Sequence, residues 1–112
     1  MDILFKSGKL QKECNNQQTL VKRYGQQRAK LLRRRLDDLG SVETLADLRK
    51  LPATRSHELK NNRKGQLAVD LDQPYRLIFE PAHEEVPLKE DGGLDWEKVT
   101  AVRILEIVDY HD

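Results

Sequence analysis

Few side chains in this chain can move protons. There are three histidines, at 57, 83 and 111, and a single cysteine, Cys14. His57 and Lys60 lie together in "HELK", Arg76 sits in the middle of "YRLIFE", and Asp109, Tyr110 and His111 follow directly on the apolar run "ILEIV". An imidazole or carboxylate can take a proton from an attacking hydroxyl, and a second acid can return one to a leaving oxygen. Arg and Lys can hold the negative charge that builds on phosphoryl oxygens between those transfers. Together these residues suit the cleavage of RNA without a metal, in which a 2′-hydroxyl loses its proton, attacks the neighbouring phosphorus and expels the 5′-oxygen.

Other chemistries are excluded by what is missing. The sequence has no Gly-rich phosphate loop with its lysine, no G-x-S-x-G elbow, and no pair of histidines at i and i+4 with a helical Glu. Three histidines and one cysteine at unrelated spacings provide no metal-ligand set, so no metal and no cofactor is expected. Each polar residue also has a plainer role. His57 can simply begin a strand, and Lys60, Arg63 and Lys64 flank a turn where solvated cations are routine. Arg76 is harder to place, because a guanidinium among apolar strand residues costs stability unless it faces an open groove or pairs with an acid, here Glu80 or Asp70. The run Arg33–Arg34–Arg35 reads as a solvated helix face able to meet RNA phosphates through Arg33 and Arg34.

The elements that must position these residues follow from periodicity. "DILF" is a first strand, turned at Gly8. Leu10 and Cys14 mark a brief helix, ended by Asn15 and Asn16. From about Gln18 to Leu39 the apolar residues recur at helical spacing, with Gly25 a possible break. Gly40 ends that helix, Ser41 is placed to cap another carrying Val42, Leu45 and Leu48, and Pro52 stops it, so two helices form a hairpin. The period then changes to 2. "HELK" is a strand and "NNRKG" a turn, while "QLAVDL" and "YRLIFE" are strands joined by "DQP", which implies antiparallel neighbours. The stretch "PAHEEVPLKEDGGLDWEKVT" carries two prolines, Gly92-Gly93 and many acids, and residues 82–100 read as an exposed loop or hairpin arm linking strands, with Trp96 as its anchor. In "AVRILEIVDY" apolar residues of both parities predict a central strand covered on both sides.

The expected fold is α+β: an N-terminal strand and a helical hairpin packed on one face of a mostly antiparallel sheet, with the other face open to a polyanion. A length of 112 residues suits one domain, residues 1–112. With 38% hydrophobic and 35% charged residues, no apolar run reaches the roughly 20 residues of a membrane span, and the first residues lack a secretory signal. A single cysteine excludes an internal disulfide and fits a reducing compartment, so a cytoplasmic protein is expected. The net charge of +1 hides an asymmetry: residues 1–66 hold 16 Lys or Arg against 7 Asp or Glu, and residues 67–112 hold 4 against 12. Either the basic half meets an anionic partner, or folding brings the halves together and cancels the field.

"HELKNNRKGQLAVDLDQPYRLIFEP" followed by "ILEIVDYH" resembles the killer toxins of bacterial toxin–antitoxin modules, the HigB branch of the RelE superfamily. The similarity rests on H-x-L-K before a basic glycine turn, a Y/W-R-I/L-x-F strand and a terminal D-Y-H, in that order. It implies a RelE-like toxin fold and a ribosome-dependent endoribonuclease that cuts mRNA during translation. Its expected partners are the ribosome with its mRNA and a cognate helix-turn-helix antitoxin, HigA-like, which would carry it to operator DNA. By the same resemblance, Arg76 and Lys60 would meet the scissile phosphate, and His57 and His111 would transfer protons or contact phosphate. Tyr110 would stack on or position a base, Asp109 would orient an imidazole, and Arg63 and Lys64 would contact ribosomal RNA with the helix arginines. Two rivals share the fold: a non-catalytic toxin acting on a target such as gyrase, and a regulatory binding module. One spacing stands out, since His57 and Lys60, three apart, share a strand face only if the chain bends after Leu59.

Overall fold

In the computed structural model, which describes residues 1–109, strand β1 (Asp2–Phe5) is followed by helices α1 (Gly8–Cys14), α2 (Gln17–Tyr24) and α3 (Gln26–Ser41). Strands β2 (His57–Glu58), β3 (Leu67–Asp70), β4 (Tyr75–Pro81) and β5 (Ala101–Asp109) complete a five-stranded sheet of order β1-β5-β4-β3-β2. Only β1 and β5 run parallel. The α+β architecture is the one expected.

Ala29, Leu32, Leu36 and Leu39 of α3 meet Leu67, Val69, Leu77, Phe79, Val102 and Ile104 in the main core. Helices of 7 and 8 residues, such as α1 and α2, are too short to persist alone. Burial of large apolar side chains, worth about 1.5–3 kcal/mol each, is what holds this layer on the sheet.

The helical region differs from expectation in its joints. Gly25, at φ 85°, breaks the long periodic run into α2 and α3, and these two form the hairpin. Ser41 does not cap a new helix but remains the last residue of α3. The cap falls at Thr44, whose capping box with Asp47 opens a 3₁₀ turn, Leu45–Lys50, in place of an α-helix. The "RRR" run is also not one solvated face. Arg34 is exposed, but Arg33 bonds the Asp37 carboxylate and the Cys14 carbonyl, and Arg35 is only 7% exposed.

The two parities of β5 have a cause other than cover on both sides. The register slips between Ile78 and Phe79, which pair with Glu106 and Ile104, and Leu105 is the extra residue of a bulge. The bulge flips the alternation, so Ile104 and Ile107, three apart, both join the helix-side core. Leu105 and Val108 pack on the opposite face with Leu59, Ala68 and Ile78. That face is therefore partly covered, by Leu59 and by Arg63 reaching to Glu106 at 3.4 Å.

The acidic segment is anchored at Trp96, which is 7% exposed, donates to Glu58 Oε2 at 3.0 Å and lies under the Arg49 guanidinium. Leu88 bridges Leu94 across the segment, leaving an apolar groove of about 400 Å³ against Gly65–Leu67 and Pro81. Among the described residues no helix is long and apolar enough to cross a membrane.

Cys14 is fully buried, and burial pushes its thiol from 9.0 up to about 11. Two units of pKa leave roughly a hundredth of the thiolate of an unperturbed cysteine. At pH 8 Cys14 should therefore react with Ellman's reagent at least 100-fold more slowly in the native protein than in 6 M guanidinium. Equal rates would contradict its burial.

Candidate active site

The open face of the sheet is organised around one buried carboxylate. Asp70 ends β3 directly opposite Arg76 on β4, and it is 5% exposed. Arg76 Nε donates to Asp70 Oδ1 at 3.2 Å and Gln73 Nε2 donates to Oδ2 at 3.1 Å, while Arg55 Nε lies 3.5 Å from the same Oδ2. Arg76 thus adopts one of the two arrangements expected of it, pairing with Asp70, and it does so on the face that carries Ile78 rather than the helices. A buried carboxylate is tolerable only when several donors surround it, and three do.

From beneath, Arg35 of α3 fixes the backbone of the same region. Its Nε donates to the Asp70 carbonyl at 2.7 Å, its Nη2 to the Ala53 carbonyl at 3.1 Å, and its Nη1 lies 3.4 Å from Asp38 Oδ2. The helix layer is thereby tied to the end of β3 and to the 3₁₀ turn Pro52–Thr54 that precedes Arg55.

His57 pairs with Ala68 on β3, so it lies on the open face across that strand from β4. Its Nδ1 is 2.8 Å from the Arg55 carbonyl. A carbonyl oxygen can only accept, so Nδ1 carries the hydrogen and Nε2 is the proton acceptor of the neutral ring. His57, immediately upstream of the "ELK" run, thus gains a set tautomer through local backbone geometry.

Lys60 is placed differently. Strand β2 ends at Glu58, the chain is still extended at Lys60 (φ −120°, ψ 175°), and the turn comes one residue later at Asn61, φ 57°. The bend after Leu59 that would aim Lys60 with His57 is not where it was expected. Lys60 is exposed, and no hydrogen bond or ion pair joins it to Arg76 or His57 among the described residues. Arg63 pairs with Glu106 and donates to Gln66 Oε1, and Lys64 is exposed at the rim of the arm groove. Arg33 and Arg34 belong to the helix layer, on the far side of the sheet from Arg76, so the four expected RNA contacts do not form one surface.

Asp109 closes β5 opposite Tyr75 and is exposed. Tyr75 is itself clamped by Arg28, whose guanidinium stacks 3.5 Å from the ring centre and forms a bidentate pair with Asp72. The expected roles of Tyr110 and His111 lie outside the described residues. His83, the remaining histidine, accepts from the Thr100 amide through Nε2 at 3.1 Å and serves the arm. Among the described residues no group of three or more His, Cys, Asp or Glu is placed to hold a metal.

Arg55 and Arg35 were not singled out as site residues from the sequence. Asp70 was, but only as an ion-pair partner. Arg55 carries no motif, and its one signal is its position two residues before His57. No curated protein matches the chain. A family profile described as RelE-like toxin of type II toxin–antitoxin system HigB matches residues 4–89, which include His57, Lys60 and Arg76 and end within the arm before β5. This match spans well over half of the 112 residues, and the chain belongs to the HigB-like toxins, the RelE-like toxins of type II toxin–antitoxin systems.

Proposed function

We propose that this toxin is a ribosome-dependent endoribonuclease that cuts mRNA by metal-independent attack of the 2′-hydroxyl on the scissile phosphate. The observation that carries this reading is the placement of Arg76 and His57 on one open sheet face, either side of β3 and its buried Asp70. His57, with its hydrogen on Nδ1, offers Nε2 to take the 2′-hydroxyl proton. The freed 2′-oxygen bonds to phosphorus, the P–O5′ bond breaks, and His111 returns a proton to the 5′-oxygen, leaving a 2′,3′-cyclic phosphate and a 5′-hydroxyl. Arg76 stabilises the added charge on the non-bridging oxygens, with Lys60 approaching the same phosphate from the rim. Tyr110 stacks on a neighbouring base, and Asp109 orients an imidazole.

A type II system includes an antitoxin partner. In this reading it is a helix-turn-helix protein that neutralises the toxin and links it to operator DNA, and the toxin acts in the cytoplasm as one domain, residues 1–112. Three ion pairs join the chain's basic and acidic halves among the described residues, Arg28–Asp72, Arg55–Asp70 and Arg63–Glu106. Exposed Arg34 and Lys64 remain for ribosomal RNA.

The class is tested by mapping mRNA 5′-ends by primer extension after brief expression. New ends within coding regions are expected, and they should vanish when translation is blocked. Intact mRNA with failing DNA supercoiling would instead support the gyrase-directed rival. Absence of growth arrest on expression without the antitoxin would support a regulatory module.

A further inference from the structure

Two guanidiniums share the buried carboxylate of Asp70, and they differ sharply in how they are held. Arg76 has a side chain 12% exposed with Nε at 3.2 Å from Oδ1, whereas Arg55 has a side chain 69% exposed with Nε at 3.5 Å from Oδ2. Arg55 also differs from an ordinary surface arginine in its backbone. It sits in the left-handed region at φ 47°, ψ 46°, immediately after the 3₁₀ turn Pro52–Thr54, and its carbonyl receives the His57 Nδ1 hydrogen. The turn below it is fixed by Arg35 through the Ala53 carbonyl. One residue is therefore joined by its backbone to the histidine and by its side chain to the acid that holds the arginine.

We propose that Arg55 is a further phosphate-binding residue of this site, which leaves Asp70 to grip a phosphodiester of the bound RNA next to the one being cut. The inference rests on the endoribonuclease reading given above. An exposed guanidinium 3.5 Å from a carboxylate gains little from that contact, because water screens it. A phosphate offers the same planar fork two oxygens and a full charge. Asp70 keeps Arg76 and Gln73 as donors when Arg55 swings away, so the movement does not strand a buried charge. The positions divide the labour. Arg76, deep and rigid, meets the phosphate where charge develops, and Arg55, at the rim, contributes to holding the strand.

The division predicts where each variant fails. Cleavage is measured with purified toxin on ribosomes programmed with a defined mRNA, under single turnover, across toxin and salt concentrations. Arg55→Ala and Arg55→Gln should raise the toxin concentration for half-maximal rate by about tenfold, with the maximal rate within threefold of wild type. They should also flatten the log–log salt dependence by about 0.7, the value for one single-strand phosphate contact. Arg55→Lys should recover most of the concentration effect. A maximal rate lowered more than tenfold, at unchanged half-maximal concentration and salt slope, would overturn the inference by making Arg55 a prop for His57. Unchanged kinetics in the Arg55 variants, alongside inactive Arg76→Ala, would overturn it while leaving the endoribonuclease reading intact. Normal cleavage by Arg76→Ala would instead sink the reading of the site itself.

Discussion

Arg76→Ala is expected to lower the maximal rate of mRNA cleavage on translating ribosomes by about 100- to 1000-fold, the usual loss when a donor aimed at developing oxyanion charge is removed. The geometry demands a control, because the same substitution strips a guanidinium donor from a carboxylate that is 5% exposed. Removing one partner of a buried pair costs about 3–5 kcal/mol through the charge left behind, so a dead variant could merely be an unfolded one. The double variant Asp70→Asn/Arg76→Ala separates the two. It keeps an oxygen for Gln73 and removes the stranded charge, and it should regain at least half of the stability lost in Arg76→Ala by urea denaturation. Cleavage should nonetheless stay as low as in the single variant. If activity returned with stability, Arg76 would be a structural arginine and the phosphate would have to be held elsewhere.

Alternation and helical spacing made most of this fold legible, since "QLAVDL" and "YRLIFE" form β3 and β4 and Asn15 ends α1 as their side-chain chemistry requires. Three departures share a physical cause, in that each depends on a partner distant along the chain. The bulge at Leu105 is set by what Ile78 and Phe79 pair with, so a strand with a parity flip reads locally as a strand buried on both faces. Thr44 displaces Ser41 as a cap because its capping box with Asp47 is accompanied by a Leu45 amide bonded to the Val99 carbonyl, 54 residues on. Arg35 is buried because two carbonyls converge on it, and nothing in "RRR" distinguishes it from Arg34. At the site, Arg76 was legible because an arginine among apolar strand residues needs an acid. Arg55 was not, because its claim rests on a left-handed turn and a cross-strand carboxylate.

That contrast within "RRR" sets the largest stability effect. Arg35→Ala should destabilise the fold by roughly 3–5 kcal/mol, the sum of a buried cationic side chain lost, the buried Asp70 carbonyl left without its donor and the part-buried bond to the Ala53 carbonyl broken. Against a total of about 5–15 kcal/mol for a domain, this removes at least about a fifth of the stability, and the urea midpoint should fall in proportion. Arg35→Lys should recover only part of it, since an ammonium cannot reproduce the fork that reaches both carbonyls and Asp38. Arg34→Ala, one residue away on the exposed side, should stay within about 0.5 kcal/mol of wild type. Equal effects at 34 and 35 would mean that the run is the uniform solvated face it resembles. A selective loss at 35 has a consequence for the site as well. Arg35 holds the carbonyl of Ala53, two residues before Arg55, and the carbonyl of Asp70, so a folded Arg35→Lys protein should hold both guanidiniums less firmly. Its cleavage should then fall further than its folded fraction does, which ties the helix layer to the open face through one side chain.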